Sequence, residues 1–518
     1  MTVSCVEYVV PEMNDSKKLE ELNPTSDALA KIAAQLAVRY GVMPLRVEPD
    51  DSLVVAMTDP SDLEVLDELG LALNCTVAAQ GASKALIAES IREYYGVGAD
   101  TLEQLVDNRD VQVVSETNDA SIDDASTDAS IIKFVNQIIV DAYNSRATDI
   151  HLEPFEHKLR VRYRIDGVLF DAVIPESIKH FREAMVSRIK IMANMDIAER
   201  RLPQDGRIRV RISGKDFDLR VSVIPIAHGE SVNIRILQRS NVLMGMDTIG
   251  FAPTIQNQFS RLLDKSHGII LLTGPTGSGK TTTLYACLNL INESNRKIIT
   301  VEDPIEYEIE GICQIQARPD IGLTFSQGLR SMLRHDPDVL LVGEIRDFET
   351  AELAIRCALT GHLVFSTLHT NDAAGAMPRL IDIGVEPYLL ASSVEAVMAQ
   401  RLVRKVCPHC ATDYNPEAEL FESIRLNIDS ELGGFKQGSG CGHCRDSGYF
   451  DRFAIHEMFL MSDPIRQLVI QRADGSAIRQ QALDENMISL RDDGLKKAMQ
   501  GITTVEEVLR VTQDERDA

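Results

Sequence analysis

The segment GIILLTGPTGSGKTTTLYACL, residues 268–288, dictates more of the fold than any other stretch of this 518-residue chain. It runs from an unbroken apolar strand through a glycine-rich loop into a helix start. An apolar run without alternation belongs to a parallel sheet covered on both faces. The glycines let backbone N–H groups curl around an anion, and the helix N-terminus adds its partial positive charge. The run Gly274, Pro275, Thr276, Gly277, Ser278, Gly279, Lys280, Thr281, Thr282 therefore predicts a nucleoside triphosphate site, with Lys280 on the β- and γ-phosphates and Thr281 on Mg²⁺. Further short apolar strands in KIITVED, VLLVGE and LVFSTL alternate with helices from about 245 to 400, which extends the α/β pattern.

A loop that holds ATP needs groups that handle the attacking water. ITVEDPIEYEI places Glu302, Asp303 and Glu306 at the end of one apolar strand, and Val339–Val342 lead into Gly343-Glu344 at the end of another. The usual second-strand motif ends in Asp-Glu, with the Asp on magnesium. Glycine stands in that position here, so Glu344 is expected to hold the metal through water, to position the nucleophile, or both. In TGHLVFSTLHTND, His362 and His369 bracket a third apolar strand. Either is a candidate γ-phosphate sensor, and a structural histidine is the competing reading.

The length predicts three or four domains. Residues 25–97 mix helical and strand signals, a small α/β module. An acidic, apolar-poor stretch follows, from Asp100 to Asp128, with Arg109 as its one basic residue, and reads as a linker. In KLRVRYRIDG, Leu159, Val161, Tyr163 and Ile165 alternate with Arg160, Arg162 and Arg164; RIRVRISGKDFDLRVSVIP repeats the pattern around a hairpin turn at Ser213-Gly214-Lys215. These arginines read first as a solvated face. The net charge of −25 gives no general reason to hold nucleic acid. The N-terminus lacks a secretory pattern and no apolar run reaches eighteen residues, so membrane contact is expected to be peripheral only.

VCPHC and GCGHCRDSG supply Cys407, Cys410, Cys441 and Cys444. Two CxxC turns bring four thiolates around one Zn²⁺; His409 and His443 are competing ligands, and a redox pair is the alternative. The other five cysteines (Cys5, Cys75, Cys287, Cys313, Cys357) read as small buried apolar residues.

Taken in order, GPTGSGKTTT, TVEDPIEY, VLLVGEIRD and TGHLVFSTLHTN, preceded by ATDIHLEP and RLPQDGRI, resemble the type II secretion and type IV pilus assembly ATPases over nearly the whole chain. In that family the glycine of VGEIRD is usual. The resemblance implies an α/β fold: a RecA-like P-loop motor (241–402) preceded by a PAS-like α+β domain (128–240). It also implies an N-terminal partner-docking domain (1–98), an acidic linker (99–127), a zinc-binding insertion (403–455) and a C-terminal helical segment (456–518). It implies a homo-hexamer, cytoplasmic and peripherally associated with the inner membrane, that uses ATP, Mg²⁺ and Zn²⁺. Its expected partners are an inner-membrane platform protein and a cytoplasmic or membrane docking protein. The candidate catalytic set becomes Glu344, Lys280, Glu302, Arg207 and Arg220, with Arg235, His369 and His362 also on the nucleotide. Arg207, Arg220 and Arg235 would act as arginine fingers. Arg330 and Arg334, four apart on an expected helix face in GLRSMLRHDPD, are a lesser candidate for the subunit interface. The tetracysteine insertion implies filament extension rather than retraction. RYGVMPL and MTDPSDLEVLDEL resemble the second half of the family's N-terminal domain. The leucine-glycine motif with which some relatives bind cyclic di-guanylate is not found, so that ligand is not expected. Two rival readings are a DNA-translocating motor, disfavoured by the acidic charge and the lack of Trp, and a non-catalytic ATP-binding scaffold, disfavoured by the intact Lys280, Thr281 and Glu344.

Overall fold

Burial alternates residue by residue in Leu159–Ile165, where Leu159, Val161, Tyr163 and Ile165 are buried and the arginines between them are not. In Gly268–Thr273 every residue is buried. Those two patterns distinguish the two main sheets of the chain. The computed structural model describes residues 22–95 (except 33, 51 and 74), 111–113, 127–238 (except 175), 245–416 and 434–512. It divides into two units, Met1–Ser240 and Asn241–Ala518.

The first unit holds a small three-stranded sheet made of β1 (Val42–Val47), β2 (Leu53–Met57) and β3 (Val77–Gly81), with β1 antiparallel to β2 and β2 parallel to β3. Helices Ser26–Lys31, Ala34–Tyr40, Leu63–Leu73 and Lys84–Tyr95 accompany it. A seven-stranded antiparallel sheet follows, built from β4 (Val111–Val113), β5 (Ala147–Pro154), β6 (Leu159–Ile165), β7 (Val168–Asp171), β8 (Gln204–Ile212), β9 (Lys215–Ile226) and β10 (Gly229–Gln238) in the order β4-β8-β9-β10-β5-β6-β7. Helices Thr127–Asn144 and Arg182–Met192 supply Phe134, Ile138, Met185 and Ile189 to the core that covers one face. The β8–β9 turn has Ser213 and Gly214 at φ 49° and 78°, the left-handed conformation that a two-residue hairpin matching strand twist requires. The expected linker, 99–127, lies outside the described residues apart from Val111–Val113 and Thr127. The triplet Val111–Val113 is not tether but an edge strand, with Val111 opposite Ile212.

The second unit is a doubly covered sheet, with β11 (Gly268–Thr273), β12 (Ile298–Glu302), β13 (Cys313–Gln316), β14 (Val339–Val342), β15 (Leu363–Leu368), β16 (Val394–Val406) and β19 (Tyr449–Leu460) in the order β13-β12-β14-β15-β11-β16-β19. All neighbours are parallel except β16 and β19. The lack of alternation in β11 has a direct cause: Ile269 and Leu271 pack into one core, Ile270 and Leu272 into the core on the other face. Between β16 and β19 lies a two-stranded ribbon, β17 (Ala411–Asp413) and β18 (Lys436–Gly438). Four helices close the unit (Asp463–Ile470, Gly475–Asp484, Leu490–Met499, Val505–Val511), each started by a side-chain cap from Ser462, Asp474, Ser489 or Thr504. Among the described residues no helix is long and apolar enough to cross a membrane.

Candidate active site

The glycine-rich loop joins the C-terminal end of β11 to helix Lys280–Leu290. Parallel strands collect their loops at that end of a sheet, where ligands bind in open α/β folds. Gly274 and Gly279 take φ of 145° and 87°. A Cβ on Gly274 would lie 2.5 Å from the Gln400 carbonyl oxygen, and one on Gly279 would lie 2.8 Å from Gln400 Nε2. These two glycines are required by both backbone conformation and space. Lys280 is buried, and its ammonium donates to the carbonyls of Gly274 (2.6 Å) and Pro275 (3.1 Å), at the mouth of the loop. Burial lowers its pKa to about 8, against support from the Glu344 carboxylate; Arg401 lowers it further. Thr281, partly buried, opens the first helical turn beside it, while Pro275, Thr276 and Thr282 are exposed and Ser278 is buried.

Glu344 follows β14 on the same edge. Its carboxylate meets His369 Nε2 at 3.1 Å and Arg346 Nη2 at 2.5 Å, and only 11% of the side chain is exposed. The glycine before it is closely packed: a Cβ at position 343 would sit 3.2 Å from the Phe325 ring and 3.3 Å from the Val301 carbonyl, so those neighbours would have to shift. His369 follows β15, so Lys280, Glu344 and His369 gather at one end of the sheet.

His362 does not join them. It precedes β15, and its carbonyl accepts from Gly268 N–H at the start of β11 (3.1 Å), while its ring Nδ1 lies 2.9 Å from the Cys357 carbonyl oxygen. Strands β11 and β15 are parallel. A residue before β15 therefore lies at the edge remote from the loop, roughly 20 Å away along the strand. His362 leaves the nucleotide-binding set.

Glu302 ends β12 on the loop side but is 4% exposed and turned into a buried cluster. It accepts from Tyr285 Oη, from Thr300 Oγ1 at 2.5 Å and from Gln314 Nε2 at 3.2 Å. Burial pushes its carboxyl pKa up, and those three hydrogen bonds oppose the shift. Such a group orders the strand end and is not presented to a ligand. Sequence reasoning missed Tyr285 and Gln314, since neither lies in an acidic motif.

In the first unit the arginines fall into one row. Arg207 is opposite Arg220, Arg220 opposite Arg235, and Arg235 opposite Asp149, whose Oδ1 accepts from Arg235 Nε at 3.0 Å. Strand spacing brings the three guanidinium stems within about 10 Å. Like charges directly opposite one another are destabilising, and Asp149 offsets the charge at the Arg235 end of the row. Arg330 and Arg334 do not share one helix face: helix Phe325–Met332 ends between them. Arg330 pairs with Glu349 at 2.7 Å, and Arg334 donates to the Arg330 carbonyl.

Cys407, Cys410, Cys441 and Cys444 have sulfurs within 4.8 Å of one another. The contacts Cys407–Cys441, Cys410–Cys444 and Cys441–Cys444 measure 3.9, 3.8 and 3.6 Å. Four Zn–S bonds of about 2.3 Å in a tetrahedron place sulfurs about 3.8 Å apart, so these thiols fit a zinc ion. His409 and His443 stack on each other at 4.1 Å beside the cluster. Of the remaining cysteines, Cys287 and Cys357 are buried as expected, but Cys75 is only partly buried and Cys313 is exposed; Cys5 lies outside the described residues. Cys313 begins the edge strand β13, where one side has no neighbour to cover it.

Comparison with known proteins gives a concordant set of matches. Residues 124–510 match the family model for type II/IV secretion system proteins, and residues 16–101 match the MshEN domain. The type II secretion system protein E of Xanthomonas campestris pv. campestris is 44% identical over 99% of this chain and 90% of its own length. The type IV pilus assembly ATPase PilB of Myxococcus xanthus is 42% identical over 98% of this chain and 90% of its own. Among solved structures, the X-ray structure of the Yersinia pseudotuberculosis ATPase DotB shares the fold, with a TM-score of 0.55 at 21% identity, over 74% of this chain and 93% of that one.

Proposed function

The chain belongs to the type II/IV secretion system protein family, and on that premise we propose that it is the ATP-hydrolysing motor of a pilus or pseudopilus assembly machine, working as a homo-hexamer at the cytoplasmic face of the inner membrane. ATPase activity is what the family and its relatives carry. The observation that supports the mechanism best is the meeting of Lys280, Glu344 and His369 at the C-terminal edge of one parallel sheet.

In this reading the loop amides and Lys280 hold the β- and γ-phosphates, and the ammonium exchanges its two carbonyl partners for phosphate oxygens. Thr281 is the side chain that would hold Mg²⁺, which when bound draws charge from the phosphates. Glu344, braced by Arg346 and His369, orients the attacking water and takes up its proton. The arginine row of the first unit neutralises charge that develops on the phosphates when subunits close. Glu302 keeps the end of β12 in place through Tyr285 and Gln314. The four cysteines would hold one structural Zn²⁺ that fixes the insertion. The six-part division of the chain, its docking to a platform protein and its peripheral membrane position belong to the same proposal. The two relatives above serve a secretion system and a pilus, and the residues at the site are compatible with both.

The test has two stages. Purified full-length protein is assayed for magnesium-dependent phosphate release, and absence of release in the wild type would overturn the catalytic reading. Disruption of the gene in its host is then scored for exported proteins and for surface pili. Lost export with intact pili identifies a secretion motor; lost pili with normal export identifies a pilus motor; no loss of either rejects filament assembly as its task.

A further inference from the structure

Gln400 lies in the interior of β16 and is 1% exposed, an uncharged polar side chain in a strand flanked by apolar cores. Its amide spans the nucleotide loop from beneath. Thr283 Oγ1 donates to Gln400 Oε1 at 2.8 Å, and Gln400 Nε2 donates to the Ser278 carbonyl at 2.8 Å. The orientation of the amide is fixed by chemistry, since a carbonyl oxygen can only accept. Ser278 stands two residues before Lys280 and Thr283 three residues after it. One buried side chain therefore ties the crest of the loop to the first turn of the helix, with the phosphate-binding lysine between the two ties. The backbone of the same residue meets the start of the loop, because the Gln400 carbonyl is what excludes a Cβ at Gly274, and its Nε2 is what excludes one at Gly279. Both partners, Ser278 and Thr283, are buried.

We propose that Gln400 is a positioning residue for nucleotide binding, which sets the curvature of the loop and the place of Lys280 through Ser278 and Thr283. It touches no phosphate itself. The proposal rests on the reading of Gly274–Thr282 as the nucleotide loop. An apolar replacement of similar size leaves the strand packed but strands a buried carbonyl and a buried hydroxyl, so the loop moves to solvate them. A carboxylate at position 400 still accepts from Thr283 yet faces the Ser278 carbonyl with an oxygen. When that carboxyl is protonated it can donate again.

The experiment uses the full chain and titrates a fluorescent ADP and Mg-ATP against wild type, Gln400→Met, Gln400→Glu and Thr283→Val. Gln400→Met is expected to raise Kd and KM at least about tenfold with kcat changed less than about threefold. Gln400→Glu is expected to recover toward the wild-type KM as the pH is lowered from about 8 to about 6, relative to wild type at each pH. A purely structural role predicts lower melting temperature or active fraction with unchanged KM, and that result overturns the proposal. So does a KM for Gln400→Glu whose ratio to wild type is flat with pH. Should Gln400→Met fail to fold, Gln400→Glu and Thr283→Val decide alone. A wild type that binds no nucleotide refutes the loop assignment itself, whereas a wild type and Gln400→Met that bind equally refute only the role of Gln400.

Discussion

Raising the pH from about 7 to about 9 singles out the charge on Lys280, whose pKa burial lowers from 10.5 to about 8. In the free protein about nine-tenths of the lysine is charged at pH 7 and about one-tenth at pH 9. Bound phosphates keep the proton on the ammonium, so affinity follows the protonated fraction of the free protein. Nucleotide affinity should therefore fall about tenfold across this interval, about 1.4 kcal/mol. Folding stability should move the other way. The folded pKa lies below the unfolded one, so between about 8 and 10.5 the unfolded chain binds more protons, and the contribution of this group to stability rises with pH. Titration of a fluorescent ADP at constant ionic strength, with thermal melts at each pH, reads both. Lys280→Arg, which keeps its charge throughout, should give a flat affinity profile. A flat profile in the wild type, or an equal fall in Lys280→Arg, would refute the claim that a desolvated lysine sets this dependence.

Other perturbations address the remaining groups. Glu344→Gln should lower kcat by about 10²- to 10⁴-fold while ADP binding at pH 7 changes little, read by phosphate release beside equilibrium titration; unaltered turnover would remove Glu344 from the mechanism. Arg207→Ala should depress kcat by about 10³-fold with no loss of melting temperature, because it also relieves a like-charge contact in the row; a large drop in melting temperature would mean that the row is structural. Cys410→Ser should abolish stoichiometric zinc in metal analysis and open the two cysteine turns to protease, and a protein that keeps both its metal and the protease resistance of those turns would rule out the four-sulfur site.

Much of this architecture could be read from residue order because local chemistry decided it. Continuous apolar strands required a doubly covered sheet, and the two CxxC turns required a common centre. Ser462, Asp474, Ser489 and Thr504 start the last four helices as such residues do. The arginine row lay within reach: with two-residue turns at Ser213-Gly214 and Ala227-His228, the pairings of Arg207, Arg220 and Arg235 follow from hairpin register. His362 was misplaced by a neglect of direction, since a residue before a parallel strand cannot share a site with the loop that follows its neighbour. Glu302 and Gln400 were not legible. Their roles depend on contacts made across 12 to 122 positions of sequence, and no local pattern records which side chain lies beneath a loop.

The tetracysteine segment leaves the main sheet and returns to it at adjoining points. Val406 pairs with Tyr449, and the Cys407 N–H donates to the Gly448 carbonyl at 2.9 Å. Cys407 and Gly448 thus stand at the base of one hairpin, and a tight turn of about two residues could close the same pair of strands. Such a segment can be shortened or exchanged while every strand of the sheet keeps its neighbours, provided the cover that Phe435 and Tyr414 give Leu495, Ala498 and Val505 is replaced. The lobe can then vary without disturbing the edge of the sheet where Lys280, Glu344 and His369 gather.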